Sequence, residues 1–215
     1  MLYPIYLDLR NRKCVVVGGG EVAQRKVLLL LQCGAKVVVV SPDVTEKLAE
    51  LAKDAQIIWY AREFEPDDLS GAFLVHAATD KPAVNSSVSK CARTYGISLI
   101  NVVDTPVECT FITPSIVARS DLIISISTSG KSPALAKRIR QQLEKQYGTE
   151  YAEFLDILGE ARKVAMDIIP TQRQRRQIFE KIIDCSEVFD LIKIGEKEEA
   201  RRLTMQIIID GKTFE

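Results

Sequence analysis

The chain has 215 residues, with 29 Lys+Arg against 29 Asp+Glu and a net charge of zero. That length suits one domain of about 110–150 residues plus a smaller one, and the balanced charge excludes a global basic field for nucleic acid. A single histidine, His76, excludes a multi-histidine metal site, and the five scattered cysteines form no C-x-x-C pair and read as reduced thiols of a cytoplasmic protein. Met1-Leu2-Tyr3-Pro4 opens no signal peptide. No apolar run reaches the roughly 20 residues that a membrane span needs.

The first 105 residues alternate short β-branched runs with helix-like segments. Strands are expected at Cys14–Val17, Lys36–Val40, Ile57–Tyr60, Phe73–Ala77 and Ile97–Val103. Compact apolar runs of this kind suit parallel strands buried on both faces. Helices are expected over Val22–Gln32, Val44–Ala52 and Pro82–Tyr95, with a short turn near Pro66–Leu69. This alternation predicts right-handed crossovers and a Rossmann-type α/β parallel sheet. The pattern then changes to a hairpin, Ile112–Val117 with Leu122–Ser127, and a helix over Ala134–Tyr147 with Ser132 as N-cap and Pro133 at its first position. From Gly148 to about Gln206 the chain reads as helical, punctuated by Pro170 and Gly195.

Directly after the first strand, Gly18-Gly19-Gly20-Glu21-Val22-Ala23 fits G-x-G-x-x-G/A. Gly18 permits a tight turn, Gly20 lets the backbone approach a pyrophosphate, and Ala23 lets helix pack on strand. The helix start, Glu21 and Val22 included, offers free N–H groups and a positive dipole end to phosphates. The following helix and second strand make this a dinucleotide fingerprint and not a bare glycine turn. The second strand ends in Ser41-Pro42-Asp43, where an acidic residue favours NAD over NADP. Asp43 also suits an N-cap of the next helix. Thr79 and Asp80 end the fourth strand, and Asp80 reads as a cap for the helix after Pro82. Asn101-Val102-Val103-Asp104 ends the fifth, where the Asp104 carboxylate either meets what lies beside the nicotinamide or serves as a turn residue before Pro106.

Three strings, Asn101-Val102-Val103-Asp104, Phe111-Ile112-Thr113-Pro114-Ser115 and the run from Ser127 to Ala136, resemble the precorrin-2 dehydrogenase family, which includes the N-terminal part of multifunctional siroheme synthases. Pro4–Leu9, the glycine loop and Ala77-Ala78-Thr79-Asp80 fit the same order over about residues 1–145. The resemblance implies a Rossmann domain over 1–112, a dimerisation region over 113–147 and a helical domain over 148–215. It implies an intertwined homodimer, with the active site in a cleft between domains. It implies NAD as cofactor, a tetrapyrrole substrate, and Asp104 at the family's essential aspartate. Some members carry serine where this chain has Thr128.

The implied reaction removes a hydride and a proton, and a base held partly out of water beside the substrate suits the proton transfer. The substrate's carboxylates need donors, for which Arg119, Thr128, Lys131 and Ser132 are candidates. Lys137, Arg138, Arg140 and the stretch Gln172–Arg176 read as solvated helix faces. His76, inside an apolar strand, reads as structural. Some members also insert iron into the product, with the macrocycle supplying the ligands. Two other classes share the glycine loop. An NAD-sensing regulatory domain leaves Asp104 and residues 128–136 unexplained, and a Rossmann methyltransferase fits the loop alone.

Overall fold

The computed structural model describes residues 2–212; Met1 and residues 213–215, the extremes of the first and third expected segments, lie outside the described residues. The chain forms two compact units, Met1–Thr113 and Pro114–Glu215.

The first unit holds a five-stranded sheet: β1 (Lys13–Val17), β2 (Lys36–Val40), β3 (Ile58–Tyr60), β4 (Leu74–Ala77) and β5 (Leu99–Val102). The spatial order is β3-β2-β1-β4-β5, and every pair is parallel. Three helices cover it: α1 (Glu21–Gln32), α2 (Glu46–Lys53) and α3 (Pro82–Thr94). Because strand side chains alternate, each valine run feeds two cores at once. Cys14, Val16, Val37 and Val39 pack with Ala23, Val27 and Leu30 of α1 and Leu48 and Leu51 of α2. Val15, Val17, Val38, Val40 and Ile100 pack on the other face with Leu69 and with Val88 and Ala92 of α3. The chain runs outward from β1 to β3, then crosses back to β4 and β5. This doubly wound arrangement matches the expected fold class.

The ends of elements differ from expectation for local reasons. Helix α2 starts at Glu46 because Thr45, not Asp43, is the N-cap, its hydroxyl accepting from Leu48 N at 3.4 Å. Asp80 does not cap α3 either; the N-cap is Lys81, without a side-chain bond. Strand β5 begins two residues late because Ile97 N still closes the end of α3 onto Ala92 O at 2.9 Å, past Gly96 at φ +71°. The open edge of β5 is filled by the returning chain. Thr110 N donates to Ile100 O (2.9 Å), Thr110 Oγ1 accepts from Ile100 N (2.8 Å), and Cys109 Sγ accepts from Val102 N (3.2 Å).

In the second unit, β6 (Ser115–Arg119) and β7 (Leu122–Ile126) pair antiparallel, with Arg119 opposite Leu122 across a two-residue turn. Ser120 takes φ +53° there. The expected first strand loses residues 112–114, where Pro114 has no N–H for a ladder. Helix α4 (Pro133–Gln146) starts as expected, with Ser132 accepting from Leu135 N at 3.2 Å. Four helices follow: α5 (Glu150–Ile168), α6 (Gln172–Asp184), α7 (Ser186–Lys193) and α8 (Lys197–Lys212). The breaks after α5 and α7 fall at Pro170 and Gly195 as expected, whereas the break at Cys185 has no proline or glycine to announce it. Ala161, Ala165, Ile178, Ile182 and Ile208 form one helical core; Phe154, Ile157, Val188 and Ala200 form another.

The first unit also buries a polar side chain, His76 of β4, which is 3% exposed. Its Nδ1 lies 3.2 Å from Asn101 Oδ1, and its ring meets Phe111 edge-on. Burial first, then the Lys26 ammonium, pushes its pKa from the ordinary 6.5 down to about 3. The folded chain thus refuses a proton that the unfolded chain takes below pH 6.5. The contribution is complete above the ordinary value and is lost as pH falls toward the lowered one. Relative to His76→Gln, the wild-type unfolding free energy should fall by about 1.4 kcal/mol per pH unit below neutrality and stay level above it. Urea denaturation across that range checks this; parallel curves would contradict it.

Candidate functional site

Parallel pairing in register brings the carboxyl ends of four strands to one edge: Val17 lies opposite Val40 and Ala77, and Ala77 opposite Val102. Strand order reverses between β1 and β4, which is where ligands sit in open α/β sheets. The glycine loop, Ser41-Pro42-Asp43, Thr79 and Asp104 all follow directly from these strand ends.

The glycine loop is built by contact. Gly18 has φ +121°, and a Cβ there would stand 2.3 Å from Ala78 O. Gly18 N donates to Val40 O (2.9 Å), and Thr45 N donates to Gly19 O (2.9 Å). Gly19, to which the motif assigns no part, is as confined: a Cβ would stand 2.0 Å from Asp43 O. In front of Gly20 nothing lies within 4 Å of such an atom. Gly20 is the N-cap of α1 and brings no side chain to the first-turn N–H groups. The cradle therefore combines free donors, a helix dipole and open space, which fits a pyrophosphate. Glu21 is exposed in the first turn, Val22 is half-buried, and Ala23 is wholly buried where α1 packs on the sheet.

At the end of β2, Trp59 Nε1 donates to Ser41 O (2.9 Å), while Pro42 and Asp43 are exposed. At the end of β4, Thr79 is held by a residue that sequence reasoning missed. Buried Asn85 accepts from Thr79 N (3.1 Å) and Oγ1 (2.8 Å) and returns its amide to Thr79 O (3.0 Å). Nothing in the local pattern of α3 signals this, since Asn85 reads there as an ordinary polar helix residue.

Asp104 follows β5 at φ +57°, a conformation that Asp tolerates better than most residues. Its carboxylate has no hydrogen-bond or ion-pair partner among the described residues. Expected partly out of water, it is exposed in this structure. Its loop is closed at the base by Cys109, whose Sγ lies 3.2 Å from both Val102 N and Val102 O.

In the second unit, Thr128 and Ser132 bond one another: Thr128 Oγ1 donates to Ser132 O (3.1 Å) and accepts from Ser132 N (3.2 Å). Lys131, Lys137 and Arg138 are exposed, and Arg140 pairs with Glu144. Arg119 is engaged internally, donating to Ala118 O (2.8 Å) and to Glu144 O (3.1 Å) near the end of α4. In the stretch from Gln172, Arg175 donates to Ile169 O (2.6 Å) and Arg176 pairs with Glu180 (2.9 Å). Among the described residues no group of His, Cys, Asp and Glu is clustered to hold a metal, and no helix is long and apolar enough to cross a membrane.

The fold and cradle define a nicotinamide-dinucleotide-binding protein. A family model described as "Putative NAD(P)-binding" matches residues 5–115, more than half of the chain. A second, described as "Sirohaem biosynthesis protein central", matches residues 119–146. The siroheme synthase of Methylobacillus flagellatus is 41% identical over 97% of this chain and 44% of its own length. That of Photobacterium profundum is 39% identical over 93% of this chain and 42% of its own length. The chain thus spans less than half the length of these curated relatives. The solved structure of SirC, precorrin-2 dehydrogenase, matches with TM-score 0.76 and 28% identity, over 97% of this chain and 100% of that one. The chain belongs to the NAD(P)-binding family that the first model describes.

Two glycine variants separate turn from cradle. Gly18→Ala should destabilise the fold by about 1–3 kcal/mol, because its methyl meets a backbone carbonyl at positive φ. Gly20→Ala should melt as the wild type does yet lose NADH affinity at least about tenfold, because its methyl takes phosphate space. Thermal melts and NADH fluorescence titrations check both; wild-type affinity in Gly20→Ala would contradict the cradle.

Proposed function

We propose that this chain is an NAD-dependent dehydrogenase that oxidises precorrin-2 to sirohydrochlorin in siroheme biosynthesis. The observation that carries this is the open glycine cradle and the unpartnered Asp104 carboxylate on one sheet edge. The likeness to a precorrin-2 dehydrogenase along nearly the whole chain supports it.

Bound at the cradle, NAD supplies the hydride acceptor. Gly20, Glu21, Val22 and Ala23 would hold its pyrophosphate through free backbone N–H groups, while Gly18, its own N–H spent on Val40 O, would shape the turn beneath it. Ser41, Pro42 and Asp43 receive the adenosine ribose; a carboxylate there accepts from a 2′-hydroxyl and repels a 2′-phosphate, which favours NAD over NADP. Thr79, pinned by Asn85, borders the cofactor. Asp104 takes the proton that leaves the substrate carbon as the hydride departs, so two electrons and one proton leave precorrin-2 together with the hydride's own proton. Lys131 and Ser132 hold substrate carboxylates at the start of α4, and Thr128 adds its hydroxyl only by releasing the Ser132 carbonyl. Arg119 joins them only by releasing the Glu144 carbonyl. Residues 1–112 carry the cofactor, 113–147 build a homodimer and 148–215 form the helical domain, in a cytoplasmic protein. A two-stranded sheet as short as β6-β7 is marginal alone and gains from a second copy.

An anaerobic assay with purified protein, precorrin-2 and NAD tests this. NADH and sirohydrochlorin should rise together. Adding ferrous iron then reads chelation, and an enzyme-dependent rise in siroheme extends the activity to iron insertion. A folded protein that binds NAD without turnover would overturn the proposal in favour of an NAD-sensing domain. Asp104→Asn keeps the backbone tolerance for positive φ and removes the basic oxygen. It should lower kcat by about 10²–10⁴-fold and leave NAD affinity nearly unchanged. Unchanged kcat would remove Asp104 from the reaction.

A further inference from the structure

Lys26 stands on α1, the helix whose N-terminus forms the cradle, and is half-buried. Its ammonium donates to Asn101 Oδ1 at 2.8 Å and has no carboxylate partner among the described residues. Burial, with Arg25 nearby, pushes its pKa below the ordinary value although Cys109 opposes this. A cation kept partly out of water with one neutral acceptor costs stability that a methionine there would not. A role beyond packing accounts for such a cost.

Asn101 supplies the rest of the geometry. It is 8% exposed, faces His76 across the β4–β5 ladder, and its Oδ1 lies within hydrogen-bond distance of both Lys26 and His76. Neutral His76 donates from Nδ1 in this arrangement. Asn101 Nδ2 donates to Phe111 O (3.1 Å) and points at Cys109 Sγ (3.7 Å). Residues 103–108, Asp104 among them, therefore form a loop with both ends fixed. It leaves β5 just past Asn101 and returns at Cys109, which is bonded to Val102. Lys26 joins that closure to α1.

We propose that Lys26 and Asn101 are a positioning pair, which fixes the Asp104 loop against the helix that carries the dinucleotide cradle. The idea rests on the role proposed above for Asp104. Hydride and proton leave one substrate, so their two acceptors must keep one separation. Misplacement by an ångström can cost about a hundredfold in rate.

The test uses the full chain in the precorrin-2 assay with Lys26→Met, Lys26→Arg, Asn101→Leu and the double variant K26M/N101L. Lys26→Met should lower kcat by about 10–100-fold, with NAD affinity by NADH fluorescence and KM for precorrin-2 within about threefold of wild type. Lys26→Arg, which keeps a charged donor, should recover most of the rate. The double variant should be no slower than the slower single, because both act through one link. Wild-type kcat in Lys26→Met overturns the proposal. So does weakened NAD binding with kcat intact, the sign of a phosphate-binding lysine, and so do losses that multiply in the double variant. If Asn101→Leu does not fold, Lys26→Gln replaces it, and its kcat should fall with binding unchanged. Asp104→Asn run alongside separates the two ideas: full activity there sinks the Asp104 role, whereas an impaired Asp104→Asn beside an active Lys26→Met sinks the pair alone.

Discussion

The backbone at Gly18 passes so close to Ala78 that no side chain fits between them; a Cβ would stand 2.3 Å from the carbonyl oxygen. This contact locks the end of β1 to the end of β4, the place where strand order reverses. Gly18 N reaches Val40 O on the other side, and Val103 N reaches Ala77 O, so the same edge continues from β2 to β5. The cradle, the Ser41–Asp43 turn, Thr79 and Asp104 hang from this row of backbone bonds. A shift at Gly18 would move all of them, since packed interiors transmit displacement.

Much of this edge is legible in the sequence because its signals are local. Valine runs of three and four residues mark β1 and β2 by composition alone, and their alternation between two cores follows from the pleat. The glycine spacing marks the turn, and Ser132-Pro133 marks the start of α4. The rest depends on how the chain is placed in space, over short separations and long ones. Asp43 and Asp80 are good caps by type, but Thr45 and the backbone at Lys81 occupy those places in space. Asn85 acquires its meaning only when α3 folds back on Thr79. The link from Lys26 to Asn101 crosses 75 positions and follows from the order of strands, which no short window contains.

The second unit shows the same divide between residue type and use. Arg119 has the charge to meet an acidic ligand, yet its guanidinium serves the carbonyls of Ala118 and Glu144 and holds the hairpin to α4. Thr128 and Ser132 close their loop on each other, while Lys131 between them stays exposed. Charge alone therefore overcounts ligand contacts, because backbone carbonyls at helix ends compete for the same donors.

Cys109 and Thr110 have a consequence for the chain's behaviour in a crowded solution. A sheet edge with unpaired N–H and C=O groups invites strands from other molecules. Here the hydroxyl and thiol of the returning segment occupy Ile100 N, Val102 N and Val102 O, so β5 offers no free ladder to a stranger. The opposite edge, β3, is only three residues long. A sheet rich enough in valine to seed fibrils is thereby kept finite at both sides: at one by its own side chains, at the other by brevity.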